Sequence, residues 1–324
     1  MPDPKLDRDI GILSDSSLTD SSPTLDDLSP RDKPWTVHRR ESQKIEEHYQ
    51  GSHFERYAER ISECSRLLDF RLVPDSTEGA YKLKLSSTRT CKVRTCQVCT
   101  WRRSLMYKAR AYKSLPKFVS DHPNTRYIFL TLTCKNCEIE NLRKTITHLN
   151  RSFVRLTKRK DWPGIGWIKT VEVTRGTDGV SAHPHLHCLV ALEPSYYGRH
   201  YLSKKKWIQL WREAMKVDYK PILDVQAIKA NDSLVGILAE VIKYQVKPND
   251  CVLSPKDWFL EYTKQIHGTK SFSLGGLFKE YFREMEKEET DEELIGNDGE
   301  SELDEGHLYF NWEQWERQYR MIDS

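Results

Sequence analysis

The segment AHPHLHCLVAL at 182–192 constrains this chain more than any other, because it can be buried in only one way. Read as a strand, it alternates: Leu186, Cys188 and Val190 point to one face, and His183, His185 and His187 to the other. The apolar face must lie on a core. The opposite face then carries imidazoles on a rigid backbone, which can hold a divalent metal with positions left open for substrate. Just upstream, residues 166–174 read as a second strand, joined to the first by a turn through GTDG. In a hairpin closed by that turn, opposing residue numbers sum to a constant near 357, and Glu172 falls beside His185 on the histidine face. A one-residue slip would turn Glu172 away. Its competing role is that of an ordinary cross-strand partner for a Lys or Arg.

The flanking segments extend the pattern. Residues 126–133 (RYIFLTLT) alternate, with Ile128, Leu130 and Leu132 on one face and Phe129, Thr131 and Thr133 on the other. Ile139, Leu142, Ile146, Leu149, Phe153 and Leu156 recur at helical spacing. Residues 204–217 carry Trp207, Leu210, Trp211 and Ala214 on one helical stripe, and 221–229 read as a short strand. Residues 233–247 read as a helix ended by Pro248. The order β-α-β-β-α-β plus a helix predicts an α+β fold. Its sheet would be a ferredoxin-like, split βαβ antiparallel one, with helices on one face and the other face free for function.

In that final helix Leu234, Leu238, Val241 and Ile242 form the apolar arc. At about 100° per residue, Glu240, Tyr244 and Lys247 cluster on its flank. A phenol with a pKa near 10 is a poor nucleophile unless a metal or base eases its ionisation, and Lys247 could stabilise a phenolate or a developing phosphorane. Without the histidine strand, Tyr244 and a Glu–Lys pair would read as a solvated helix face.

Eight cysteines in a chain whose start, MPDPKLDRDI, has no signal-peptide pattern are expected in a reducing, cytoplasmic setting, where close spacing suggests metal more than disulfides. Cys91, Cys96 and Cys99 lie among Arg94, Arg102 and Arg103. Three thiolates need a fourth ligand for tetrahedral Zn²⁺. Cys134 and Cys137 are one source of it, or half of another site, and Cys188 alternates into the core.

Charge is distributed unevenly. Residues 81–250 hold 32 Lys and Arg against 13 Asp and Glu, a net of +19, whereas 280–305 hold 13 acids and two bases, a net of −11. A middle so basic fits a polyanion, since neutralising phosphates releases condensed counterions. No apolar run approaches the roughly 20 residues of a membrane span. The expected division is a disordered Ser/Asp/Pro-rich tail over 1–45, a Cys/Arg-rich zinc-binding, DNA-contacting module over 46–115, a catalytic domain over 116–276, and an acidic, aromatic-tipped tail over 277–324. That tail could dock a partner such as a host helicase, or shield the basic surface.

Three motifs stand in order: FLTLT at 129–133, HPHLHCLV at 183–190 and VIKYQVK at 241–247. Together they resemble the rolling-circle replication initiators of small plasmids, in the HUH endonuclease superfamily named for a His-hydrophobe-His pair. That pair matches His185 and His187 and leaves His183 extra. The family's V-x-x-Y-x-x-K pattern matches through Tyr244 and Lys247, with one Tyr, as in the single-tyrosine branch. Glu240 matches the carboxylate that some members use at termination. CKVRTCQVCTWRRS is similar to the family's Cys-Arg stretch, with Gln97 in place of the usual Pro. The resemblance covers roughly residues 55–276 and also places a cysteine at Cys64, which it makes the fourth zinc ligand.

The resemblance implies the HUH palm as the fold. It implies Mg²⁺ or Mn²⁺ at His185, His187 and Glu172, and attack by Tyr244 on a phosphodiester of origin DNA, single-stranded where it is cut and duplex around it. The products would be a 5′-phosphotyrosine and a 3′-OH primer, with Glu240-assisted hydrolysis at termination. The competing readings are a non-catalytic zinc-containing DNA-binding regulator, a relaxase or single-strand transposase of the same superfamily, and a metallohydrolase that activates water.

Overall fold

The computed structural model describes residues 22–74, 81–198, 200–228, 254–286 and 306–322. The expected helix at 233–247, with Glu240, Tyr244 and Lys247, lies outside them.

Two antiparallel sheets organise the α/β structure. The first, in the order β2-β1-β8-β9, is built from β1 (Leu67–Pro74), β2 (Tyr81–Thr88), β8 (His307–Glu313) and β9 (Gln318–Ile322). The second, in the order β6-β3-β5-β4-β7, is built from β3 (Arg126–Thr133), β4 (Gly164–Arg175), β5 (Ala182–Leu192), β6 (Leu223–Ala227) and β7 (Phe272–Gly276). Within it, α5 (Leu142–Thr157) connects β3 to β4 and α6 (Lys204–Met215) connects β5 to β6, the β-α-β-β-α-β succession read from the sequence. β7 adds a fifth strand beside β4.

The β4–β5 hairpin takes the register given by the turn. Glu172 pairs with His185, Thr170 with His187 and Arg175 with Ala182. Asp178 fixes the turn by accepting from the amides of Val180 (3.0 Å) and Ser181 (2.8 Å), and Gly179 supplies the positive φ of 76° that closes it.

One face of the second sheet is packed as its alternation requires. Leu130, Leu186, Cys188 and Val190 meet Leu149, Phe153 and Leu156 of α5 and Trp207, Leu210 and Trp211 of α6. Each such fully buried side chain stabilises by about 1.5–3 kcal/mol. The indole N–H groups are satisfied: Trp211 donates to the Thr133 carbonyl (2.8 Å) and Trp207 to the Tyr196 hydroxyl (3.2 Å).

Much of the opposite face is covered, which corrects the expectation of an open second face. The far half of β5 on this side is Leu189 and Ala191, and with Ile168 they are covered by Ala111, Leu115 and Phe118 of α4 (Gln97–Asp121). Phe278 and Phe282 of α8 (Leu277–Glu286) complete the cover. The chain enters α8 through Gly276 at φ +58°, where a Cβ would stand 2.2 Å from the Ile165 carbonyl oxygen. The near half of the face, at His185 and His187, is left to the candidate site.

Parts of both expected tails are folded. In the N-terminal one, Thr24 and Asp27 form a capping box for α1 (Leu25–Leu28), and Leu25, Trp35 and Ile45 are buried, the last two on α2 (Lys33–Tyr49). Ser, Thr and Asp are helix-capping residues as well as disorder-promoting ones, so that composition has two outcomes. In the C-terminal one, α8 packs on the second sheet and β8 pairs with β1 across a long sequence gap. The expected boundary at 115/116 falls inside α4, so one helix runs from the cysteines to the second sheet. Among the described residues no helix is long and apolar enough to cross a membrane.

Candidate metal centres and functional site

Strand alternation and register bring Glu172, His185 and His187 to one point. The Glu172 carboxylate oxygen Oε2 lies 2.8 Å from Nε2 of His185 and 2.8 Å from Nε2 of His187. All three side chains are nearly buried, at 6–11 % exposure. The other ring nitrogens are also engaged: Nδ1 of His185 lies 3.2 Å from the His183 carbonyl oxygen, and Nδ1 of His187 lies 3.4 Å from Thr131 Oγ1. A carbonyl only accepts, so Nδ1 of His185 carries the hydrogen. Its Nε2 then faces the carboxylate either as an imidazolium N–H or as a lone pair, which needs a cation between the two groups. Such convergence of two imidazoles and a carboxylate, with outer hydrogen bonds orienting the rings, fits a divalent ion. Burial tends to raise the Glu172 carboxyl, but the hydrogen bonds and charge of the two histidines outweigh it and bring it down to about 2.

His183 shares the face but stands apart from this group. Its Nδ1 lies 2.7 Å from Asn136 Oδ1, and burial together with the neighbouring His185 holds its pKa below the ordinary value. Two threonines join the site that were not singled out as site residues. Thr131 touches His187, and Thr170, the cross-strand neighbour of His187, is fully buried with no hydrogen-bond partner for its hydroxyl. Alternation back from Glu172 would have placed Thr170 on this face.

The second centre gathers Cys64, Cys91, Cys96 and Cys99, all buried. Sulfur–sulfur distances are 3.6 Å for Cys64–Cys99, 3.5 Å for Cys91–Cys99 and 3.6 Å for Cys64–Cys96. A tetrahedral ion with Zn–S of about 2.3 Å has edges of about 3.8 Å, so four thiolates in this arrangement fit one. Hydrogen bonding from the other thiols pushes Cys64 far up and holds Cys99 below its usual range. Four buried thiols gathered this closely suit a cation in their midst. The amides of Cys91 and Val93 point at Cys64 Sγ (3.3 Å) and Cys91 Sγ (3.4 Å). Cys134 and Cys137 are not part of the cluster. Cys134 donates to the Pro184 carbonyl, and Cys137 bridges to Ala182 beside the histidine strand.

Cys96 stands at the N-cap position of α4, where Ser42 Oγ on α2 accepts from the amides of Gln97 (3.0 Å) and Val98 (3.2 Å) in its place. Arg94, between the ligands, donates to the carbonyls of Ile266 and Thr269, at the end of α7 (Lys256–Ile266). The sulfur cluster is thus tied both to the helix behind the second sheet and to the segment that leads into β7.

Residues 82–320 match the family model described as a replication protein, Rep_1. The chain belongs to that family. It is 32 % identical over 282 residues to a protein rep of Lentilactobacillus hilgardii, covering 83 % of this chain and 87 % of the relative. To a protein rep of Streptococcus pneumoniae serotype 2 it is 30 % identical over 263 residues, 79 % of this chain and 81 % of the relative. A replication protein of Staphylococcus aureus is 31 % identical over 223 residues, 63 % of this chain and 95 % of the relative. No solved structure gives a significant match. Together these Rep_1 relationships support a plasmid replication initiator.

Proposed function

We propose that this Rep_1 protein starts rolling-circle replication of a plasmid by nicking one strand of the origin, with Tyr244 as nucleophile. The observation that carries the reading is the convergence of Glu172, His185 and His187 on one sheet face, in a chain of the replication-protein family. The strand order β6-β3-β5-β4, with α5 and α6 on one face, supports an HUH endonuclease palm. A divalent ion such as Mg²⁺ or Mn²⁺, held by these three side chains, would supply charge to a phosphate's non-bridging oxygens.

The protein's own groups carry the rest. The Tyr244 oxygen bonds to the scissile phosphorus as the bond from phosphorus to the 3′ oxygen breaks. The 5′-phosphate stays on Tyr244, and the 3′ oxygen leaves, takes up a proton and becomes a primer. Lys247 offsets charge on the phenolate and phosphorane. At termination Glu240 accepts a proton from water, whose oxygen attacks the phosphotyrosine and restores the phenol. A structural Zn²⁺ on the four cysteines would stiffen the Arg-bearing segment that meets DNA. Such a protein would act in the cytoplasm, where its thiols stay reduced.

The test is a labelled single-stranded oligonucleotide from the plasmid's own origin, incubated with Mn²⁺. An SDS-stable adduct should form with the wild-type chain and not with Tyr244→Phe. Cleavage without any adduct would instead favour hydrolysis by an activated water, and an equal adduct with the variant would remove Tyr244 from its role.

A further inference from the structure

Beside the sulfur cluster lies a cleft of about 220 Å³ that none of the chemistry above uses. Its walls bring together four side chains that are or can become cationic: Arg60 from α3 (Glu55–Ser62), Lys92 and Arg94 from the cysteine loop, and His267 after α7. No carboxylate lines it. Among the described residues none of the four forms an ion pair, although Arg60 donates to the Cys91 carbonyl and lies 5.8 Å from the Tyr57 ring. The neighbouring cavity of about 440 Å³ shares Arg60 and Lys92 but also carries Glu59 and Glu63, so the concentration of positive charge belongs to the first cleft.

The cleft has a fixed floor. Tyr49 is buried, and its hydroxyl lies 2.8 Å from both Thr95 Oγ1 and Thr263 Oγ1. Arg94 is locked to the carbonyls of Ile266 and Thr269 and to Thr269 Oγ1 (3.0 Å). Lys92 is exposed and held at φ +56°, in the left-handed region that L side chains rarely adopt.

The cleft also leads toward the histidine face. Beyond His267 and Gly268 the chain reaches Ser271, whose carbonyl accepts from the Val171 amide (2.8 Å), one residue from Glu172. Three residues from Gly268 to Ser271 span at most roughly 11 Å.

We infer that this cleft is a binding site for a backbone phosphate of the DNA strand being cut. Lys92 and Arg60 supply the charges that meet it, and Arg94 and His267 line the wall. The inference rests on the proposed nicking reading only for the identity of that strand. Its own content is one phosphate held by Lys92 and Arg60.

The test uses full-length Tyr244→Phe protein, which cannot form the adduct, so a failure of the nicking reading would not disturb the measurement. A series of single-stranded origin oligonucleotides carries one neutral methylphosphonate each, at successive linkages, and binding is measured by fluorescence anisotropy. One linkage should weaken binding to the Lys92-containing protein several-fold, yet cost nothing further once Lys92→Gln is added, as two changes to one contact are non-additive. Arg60→Gln should single out the same linkage. Each substitution should also lower the slope of log affinity against log salt by about 0.7, the value for one single-strand phosphate. Additive losses at every linkage would overturn the assignment. If inorganic phosphate raised the thermal midpoint of the Lys92 protein but not of Lys92→Gln, with the linkage scan still additive, the cleft would take a free phosphate and the DNA assignment would fall.

Discussion

Glu172 and His185 face each other across β4 and β5, with Oε2 and Nε2 2.8 Å apart and His187 at the same distance from the same oxygen. One carboxylate oxygen therefore serves two imidazoles. Glu172→Gln keeps the shape and removes the charge. Its Mn²⁺ affinity, measured by calorimetry, should fall by about tenfold or more, while zinc content stays unchanged. Unaltered Mn²⁺ affinity would mean that the carboxylate is not a ligand.

The same carboxyl links stability to acid. Its pKa is lowered from 4.5 to about 2 in the folded chain. A group whose folded pKa is depressed contributes stability above its unfolded pKa and loses it as pH falls through the folded one. The contribution is on the order of 3 kcal/mol. In metal-free protein, wild type should exceed Glu172→Gln in stability above pH 4.5, and the gap should close between 4.5 and about 2. Urea melts across that range would show it, and a gap that stayed constant would contradict the linkage.

Cys64 reaches the cluster from the end of α3, across a long sequence gap from the other three cysteines. Cys64→Ser should abolish stoichiometric zinc, read as metal per chain after gel filtration, whereas Cys134→Ser and Cys137→Ser should each retain it. Loss should also lower the thermal midpoint, because Cys96 leads directly into α4 and Arg94 ties the loop to the end of α7. Full zinc retention by Cys64→Ser would assign the centre elsewhere.

How much of this was legible in the sequence depended on the range of each signal. The histidine face and the Glu172–His185 pairing were readable because a hairpin closed by a short turn has its register set locally. Helices α5 and α6 followed from their apolar spacing. By contrast, β8 pairs with β1 and α4 covers the face of β5, and no local pattern encodes either partner. Phe310 and Trp312 alternate within HLYFNWE, but the acidic stretch before them dominated the composition and hid a strand. Spacing alone did not choose between Cys64 and Cys134 as the fourth sulfur, since that depends on where α3 ends in space.

Lys169 shows what burial does on the other face of β4. It is 5 % exposed, donates to Asn150 Oδ1 and lies 5.1 Å from the Phe153 ring. Burial brings its pKa from 10.5 down to about 8. Because the unfolded chain binds the proton more tightly, the cost is present below pH 8 and fades as pH rises toward 10.5. Lys169→Met should therefore stabilise the protein near neutral pH by on the order of 1–3 kcal/mol, with the advantage shrinking above pH about 8. Denaturant melts at pH 7 and 10 would test this, and destabilisation by the variant at both would refute it.

The β8–β9 hairpin separates two tryptophans of opposite fate. Trp312 is 4 % exposed, packs at 4.9 Å from Tyr319 and has Arg39 over its ring at 5.5 Å. Trp315, in the turn, is 98 % exposed. Trp312→Ala removes a core side chain and leaves Arg39 without its aromatic neighbour, so it should cost about 3–5 kcal/mol. Trp315→Ala should change stability by less than about 0.5 kcal/mol. The turn is nevertheless pinned, with Arg40 donating to the Arg317 carbonyl (2.6 Å) and Gln43 to that of Gln314 (3.3 Å), so α2 and the hairpin should unfold together. Removing residues 306–324 would uncover Leu68 and Phe70 of β1 and leave that strand without its β8 partner. The truncated chain should be insoluble or lose its thermal transition, whereas Trp315→Ala should melt like wild type. Equal destabilisation by the two tryptophan substitutions would show that the hairpin does not close the first sheet.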